Sequence, residues 1–415
     1  MIEAFSFLEP LLPRSLTPAD QLPVSRTLSP HRDPTLVFHS FKKLPKTHGP
    51  RELGDGRTLL IHNTDPSPDW TPELVVMSYN ILLGGERREA LDQYFKDLLG
   101  AGRLPEIIGL QEARQPTAVR LAERFGFHLA YQGRDGETGQ RIINGKAILS
   151  LHPIVEAAHY TYGLTDSERA AVIARRGDPC ELEEDRGVLR AVLDVNGRRV
   201  AVYNIHHALG DAGVNANNLR QLNALLRQHR DPIYIVMGDF NVNTMIKGSG
   251  YWPGTRLKRR DDTHTMQAYR KRYGYVVASV GDPGVGNIAD PRVRHELEVL
   301  ERRCLDAFDR SPLVMVRLHD GSIMTPEQAR ARLNSGEIPR GTETWRRLQD
   351  IADASTLAPM PNLDGVVPAT GKRLDTVCAN RALKPCKVEV DHSTEASDHL
   401  AVIVTYRFEE RSNAS

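Results

Sequence analysis

Two short strings in this 415-residue chain place a carboxylate beside an amide or an imidazole. One reads Gly238-Asp239-Phe240-Asn241, the other Ser397-Asp398-His399. Such side chains can bind a divalent cation through hard oxygens, handle the proton of an attacking water, and offset charge developing on phosphorus. Four further polar groups accompany them: Asn80, Gln111-Glu112, Asn204-Ile205-His206-His207 and Asp375. Taken singly each is weak, because a lone strand-end Glu is usually a solvated terminus and a lone His a satisfied structural residue. Together they point to metal-assisted hydrolysis of a phosphoester.

Side chains that act together must be aimed by rigid elements, and each of these groups adjoins a short apolar run. Leu74 to Asn80, Glu106 to Glu112, Arg141 to Ser150 and Ile233 to Asp239 read as buried strands, and Leu400 to Arg407 as the closing one. Gly187 to Val195 and Arg199 to His206 read as a hairpin around the two-residue turn Asn196-Gly197. Helical spacing marks Arg87 to Leu99, Thr117 to Phe125 and Asn218 to Gln228. Hairpins mixed with helix crossovers favour a two-sheet α/β sandwich over a purely parallel sheet. Strand alternation lets only one of His206 and His207 face a site at the end of their strand, and the spacing from Asn204 selects His206.

Residues 1 to 72 are rich in proline and charge and read as an extension, partly disordered, ahead of a domain at 73–408 and a tail at 409–415. Between about 244 and 371 the pattern loosens into a stretch too long for a simple loop, so an ordered insertion is expected, with helices over Arg292 to Phe308 and Pro326 to Leu333. It opens with a basic run containing Arg259 and Arg260, a candidate phosphate-binding rim, though a charge run is commonly a solvated surface. Arg186 and Arg190, at the start of a strand, are further candidates for touching a substrate phosphate, against the plainer reading of a solvated strand end.

Bulk composition narrows the class. Lys and Arg number 54 against 53 Asp and Glu, so the net charge of +1 creates no global field for a polyanion. The four cysteines show no metal-type pairing and are expected as free, mostly buried thiols. The N-terminus lacks a basic start and carries early prolines, a poor signal peptide, and no apolar run approaches the roughly 20 residues of a membrane span. The expectation is a soluble cytoplasmic protein.

The order and context of these motifs closely resemble the endonuclease/exonuclease/phosphatase superfamily, the fold of pancreatic deoxyribonuclease. The resemblance rests on Asn80, Gln111-Glu112, Gly238-Asp239-Phe240-Asn241 and Ser397-Asp398-His399, with Lys146-Ala147-Ile148-Leu149-Ser150 matching a further strand. It covers about 73 to 408 apart from the insertion and implies a DNase I-like αββα sandwich. It also implies Mg²⁺, with Mn²⁺ as an alternative, bound by Glu112. Asn80 would ligate the ion or orient that carboxylate, and Asp398 is a second candidate ligand. Asp239 would orient or deprotonate the attacking water, and Asn241 would donate to phosphoryl oxygens. His206 would act on the scissile phosphate or the leaving oxygen. His399 would stabilise the pentacovalent state, held by Asp375. Nucleic acid or a nucleotide is the expected substrate, through a phosphodiesterase or nuclease-like reaction. The alternatives are a phosphatase or phospholipase C-type hydrolase of a phosphorylated lipid or small molecule, and a non-catalytic binding module on the same fold.

Overall fold

The computed structural model describes residues 73–85, 87–134, 143–170, 186–207, 212–242, 290–356 and 373–409, and the backbone of four earlier strands. Those strands are β1 (Val24–Leu28), β2 (Leu36–Phe41), β3 (Thr47–Glu52) and β4 (Thr58–His62). There follow β5 (Glu73–Asn80), helices α1 (Leu82–Gly85) and α2 (Arg88–Gly100), β6 (Ile107–Ala113), α3 (Gln115–Phe125), β7 (His128–Arg134), β8 (Ile143–Ser150) and β9 (Ile154–Thr161). The hairpin β10 (Gly187–Val195) and β11 (Arg198–His206) leads to α4 (Ala212–His229) and β12 (Tyr234–Asp239). Beyond it lie α5 (Pro291–Glu301), β13 (Leu305–Asp306), α6 (Ala307–Arg310), β14 (Val314–Arg317), β15 (Ile323–Met324), α7 (Pro326–Asn334) and α8 (Glu343–Ala352). The chain closes with β16 (Asp375–Ala379), β17 (Leu383–Asp391) and β18 (Ala401–Phe408).

These strands form two mixed sheets. One runs β1-β2-β9-β10-β11-β12-β16-β13, the other β15-β14-β17-β18-β5-β6-β8-β7-β4-β3. Their facing surfaces bury one apolar core, with Val76, Ile107 and Ile148 opposite Leu189, Val202 and Met237. The first sheet's outer face is covered by α4 and α5, through Leu219, Leu222, Leu297 and Leu300. The second sheet's outer face is covered by α2 and α3, through Leu91, Phe95 and Leu121. Each such side chain contributes about 1.5–3 kcal/mol on burial. The architecture is an α/β sandwich of the expected DNase I-like kind.

Strands such as β12 are buried on both faces, which is why their sequences are continuous apolar runs rather than alternating ones. The stretch after β12 adds β14, β15 and α8 to the two expected helices and alters the first of those helices. The helix ends at Glu301 rather than Phe308, because Leu305 and Asp306 instead pair with Ala379 and Cys378 on the edge of β16. The later helix, Pro326–Asn334, stands as read and opens with a capping box from Thr325 and Gln328. Cys304 and Cys378 are buried free thiols and Cys386 is a partly exposed one, while Cys180 lies outside the described residues. No helix among the described residues is long and apolar enough to cross a membrane.

Candidate active site

Three neighbouring strands of the first sheet end in one row. His206 of β11 lies beside Asp239 of β12 in the parallel pairing, and Asp239 lies beside Asp375 of β16 in the antiparallel one. Residues opposite one another in a sheet share a face, so the three side chains project together. The Asp239 carboxylate is the hub. Its Oδ1 accepts the Asn241 N–H at 2.8 Å, and its Oδ2 accepts from Asn80 Nδ2 at 3.1 Å. The same Oδ2 lies 3.5 Å from His206 Nε2 and 3.8 Å from His399 Nε2.

Two backbone departures aim the site. By strict alternation Glu112 would point to the outer, helix-covered face of β6. Instead the pairing with β8 slips a register between Gln111 and Ala113, and Glu112 adopts φ 55°. This bulge turns the carboxylate inward, where its Oε1 accepts from Asn80 Nδ2 at 3.2 Å. Gly238 is held at φ +142°, and a Cβ there would stand 2.1 Å from the Ile205 carbonyl oxygen. Glycine is therefore what lets β12 lie against β11 just ahead of Asp239.

The Ser397-Asp398-His399 segment is fastened to the end of β5 in the second sheet. The Ser397 hydroxyl donates to the Asn80 carbonyl at 2.7 Å and accepts the His399 N–H at 3.1 Å. His399 Nδ1 meets Asp375 Oδ2 at 2.7 Å. Burial works against the imidazolium, but the Asp375 carboxylate and then Asp239 hold His399 well above its ordinary range. Burial pushes the Asp375 carboxyl up to about 6 against the pull of His399, which leaves an ion pair at neutral pH. Asp239 would also be raised by burial, but His206 and the His399 charge hold it below the usual carboxylate range. His206 is lowered by burial and by the Arg186 guanidinium, whose Nη1 touches its Nε2. Asp398 is raised by burial, with the Glu112 charge adding to the effect.

The residues singled out in the sequence are thus sorted by geometry. Asn80, Glu112, His206, Asp239, Asn241, Asp375 and His399 converge, with Asp398 and Arg186 at the margin. Asn80 Oδ1 accepts the Leu82 N–H at 3.2 Å, which leaves its amide protons to the two carboxylates, an orienting arrangement. Asn241 donates from Nδ2 to the His207 carbonyl at 2.8 Å. The His207 ring faces the opposite way, packed between Tyr162 and Phe240. Arg190 is not brought to the site. It is 3% exposed on the outer face of the first sheet, clamped by both oxygens of Asp231 and by Glu156, so it is neither a phosphate contact nor a solvated strand end. Gln111 and Asn204 join the two sheets instead of facing substrate: Gln111 Nε2 donates to Asn204 Oδ1 at 2.7 Å, and Asn204 Nδ2 to the Leu110 and Ala147 carbonyls. Arg259 and Arg260 lie outside the described residues.

Asp239, Asp375 and His399 each offer one atom, all within 4.8 Å of one another, where a cation could sit. Glu112 and Asp398 form a second acidic face beside them, and both side chains are partly exposed.

Comparison with known proteins places the chain in a family. The model of the Endonuclease/Exonuclease/phosphatase family matches residues 77–399, from β5 to the last residue of the cluster. Solved structures overlap it at low identity. An endonuclease/exonuclease/phosphatase family protein from Bacteroides thetaiotaomicron is 13% identical, with TM-score 0.46 over 81% of this chain and 98% of that one. The mannosyl-6-phosphatase of Bacteroides thetaiotaomicron VPI-5482 is 13% identical, with TM-score 0.46 over 81% and 100%. D. rerio TDP2 complexed with single-strand DNA product is 14% identical, with TM-score 0.41 over 81% and 99%. No curated protein matches the sequence. Through the match from β5 to His399, the chain belongs to the endonuclease/exonuclease/phosphatase family, whose members hydrolyse phosphoester bonds.

Proposed function

We propose that this protein is a divalent-metal-dependent phosphodiesterase acting on nucleic acid or nucleotides. The observation that supports it is the convergence of Asn80, His206 and His399 on the single carboxylate of Asp239, with Glu112 turned inward beside them. The donor set fits a hard cation such as Mg²⁺ or Mn²⁺. Glu112 and Asp398 are oxygen donors close enough for Glu112 to raise the Asp398 carboxyl, a repulsion that a bound cation relieves. We place the ion at Glu112, with Asp398 as the second ligand and Asn80 orienting. Asp375 is already committed to His399, whose positive charge repels a cation. When bound, the ion offsets the charge that develops on the phosphoryl group.

The remaining roles follow from protonation states. Asp239 is ionised and weakly basic, so it aligns the attacking water through a hydrogen bond more than it removes a proton. The His399 imidazolium, fixed by Asp375, faces the oxygen on which negative charge grows. Arg186, which donates to His206 Nε2 and is held there by it, presents a second donor group to the phosphate from the far side of Asp239. Asn241 closes the turn after Asp239 and offers its second amide proton to a phosphoryl oxygen. The preference for nucleic acid rests on the resemblance of Ser78-Tyr79-Asn80-Ile81-Leu82 to deadenylase-type members of the family.

The test is turnover of single- and double-stranded DNA, RNA, bis-p-nitrophenyl phosphate and a phosphoinositide, with Mg²⁺ or Mn²⁺ and with EDTA. Asp239→Asn and His399→Ala are each expected to lose about 10²- to 10⁴-fold in kcat while remaining folded. Metal-independent turnover, or full activity in both variants, overturns the mechanism. Exclusive cleavage of the phosphoinositide overturns the substrate class alone.

A further inference from the structure

We infer that Thr356 is a positioning residue for the Asp375–His399 pair, bracing the backbone on both sides of it at once. The inference rests on the catalytic reading of that pair. Thr356 is fully buried, four residues beyond α8, at the point where the chain returns from its long excursion after β12. Its Oγ1 accepts the backbone N–H groups of Leu374 and Asp375, each at 3.1 Å. Its carbonyl accepts the N–H of Leu400 at 2.8 Å. One residue therefore fixes the peptide that leads into Asp375 and the peptide that leaves His399.

The bracing extends to the hub. The Leu374 carbonyl accepts the Phe240 N–H at 2.9 Å, so the peptide Thr356 holds from one side is tied on the other to the turn after Asp239. The 2.7 Å contact between Asp375 and His399 joins segments 24 positions apart, and its length depends on how those segments are registered. Displacements of about 1 Å in a catalytic constellation cost up to about 10²-fold in rate. Removing the hydroxyl leaves two buried N–H groups without their acceptor, and these can be satisfied only by moving the residues that carry the pair. The excursion carrying α5 to α8 is thereby mechanically joined to the site.

The experiment compares Thr356→Val, which keeps the shape without the acceptor, with Thr356→Ser, which keeps the acceptor, and Thr356→Cys, whose sulfur accepts weakly. Steady-state kinetics separate kcat from KM on whichever phosphoester the wild-type protein turns over. Proton NMR follows the low-field His399 Nδ1–H resonance, assigned by its loss in His399→Ala. Thr356→Val should lose at least about tenfold in kcat with KM within about twofold, and shift or broaden the imidazole resonance. Thr356→Ser should restore both, with Thr356→Cys between. Wild-type kcat and an unshifted resonance in Thr356→Val overturn the inference, as does a serine variant as impaired as the valine one. Should Thr356→Val fail to fold, the serine-to-cysteine comparison decides, and equal behaviour of those two overturns it. Wild-type protein inert toward every phosphoester defeats the proposed function instead. The resonance then still decides whether Thr356 positions the pair.

Discussion

Arg186 and Arg190 stand four positions apart, yet they face different chemistry. The Arg186 side chain reaches His206 at the site, while Arg190 is sealed into a buried ion pair on the outer face of the sheet. Arg186→Met is expected to raise KM or lower kcat with little change in unfolding midpoint. Arg190→Met should cost about 1–3 kcal/mol of stability, because the partly buried Asp231 is left with the Tyr203 hydroxyl in place of the guanidinium, while kcat per folded molecule is unchanged. Urea unfolding together with kinetics on both variants checks this, and a catalytic defect confined to Arg190→Met would refute it. Residue types and spacing sufficed to single out Asp239, Asn241, Asp375 and His399, which the fold brings into one cluster. They could not tell Arg186 from Arg190, because the partners of Arg190 lie 34 and 41 positions away. Thr356 left no trace in the sequence either. Its role rests on contacts with Leu374, Asp375 and Leu400, far downstream, and nothing about a lone threonine advertises them.

Between the sheets, the elements are held by polar contacts from residues that neighbour the site in the sequence. Gln111 and Asn204 lie near strand ends beside site residues, but the Gln111 amide donates to the Asn204 oxygen and the Asn204 amide donates to two carbonyls across the interface. Asn204→Leu leaves the Gln111 amide and the Leu110 and Ala147 carbonyls buried without that partner, at a cost of about 1–3 kcal/mol for each. Denaturant unfolding should show a loss of several kcal/mol. Gly238→Ala must either push β12 away from the Ile205 carbonyl or abandon φ +142°, so loss of activity should accompany a lower melting temperature. Wild-type activity in that variant would show that β12 tolerates the displacement. Strands β5, β6, β8, β10, β11, β12 and β18 were legible as apolar runs or hairpin halves. Strands β7, β9 and β17 were not, since His128, Gln132, Glu156, His159, Lys384 and Lys387 interrupt the runs that would mark them. The slip that redirects Glu112 was equally invisible, because it is a matter of pairing with β8 rather than of composition.

Across the whole molecule, buried imidazoles set the response to acid. Burial lowers His207 to about 3, and His229 and His392 to about 4. Each is depressed relative to the unfolded chain, so its contribution is complete above about pH 6.5 and is lost as pH falls from there toward 4, at about 1.4 kcal/mol per unit of difference. Asp306 and Asp375, raised to about 6 by burial, act in the opposite sense and recover stability as pH falls through 6. The depressed imidazoles, His206 among them, lose stability over a wider span of pH than the raised carboxyls recover it, so the urea midpoint at pH 4.5 should lie below that at pH 7. His207→Phe, which keeps an aromatic ring between Tyr162 and Phe240, should flatten this dependence. An unchanged slope in that variant would remove His207 from the account. EDTA should lower the melting temperature of the protein by releasing the proposed cation, and Mg²⁺ should restore it.

His206, Asp239 and Asp375 share one row across three strands, so the distance between them is the strand spacing itself, about 4.8 Å per step. The main chain acts as the ruler and the side chains only read it. Apart from Gly238, point substitutions elsewhere in β11, β12 or β16 leave that ruler intact. Deleting a single residue from β12 ahead of Asp239 would keep every functional group in the sequence, yet turn the carboxylate toward α4 and out of the row. Length changes within these three strands are therefore far more damaging than changes of residue type, and variants of this chain that retain activity should differ in length only outside them.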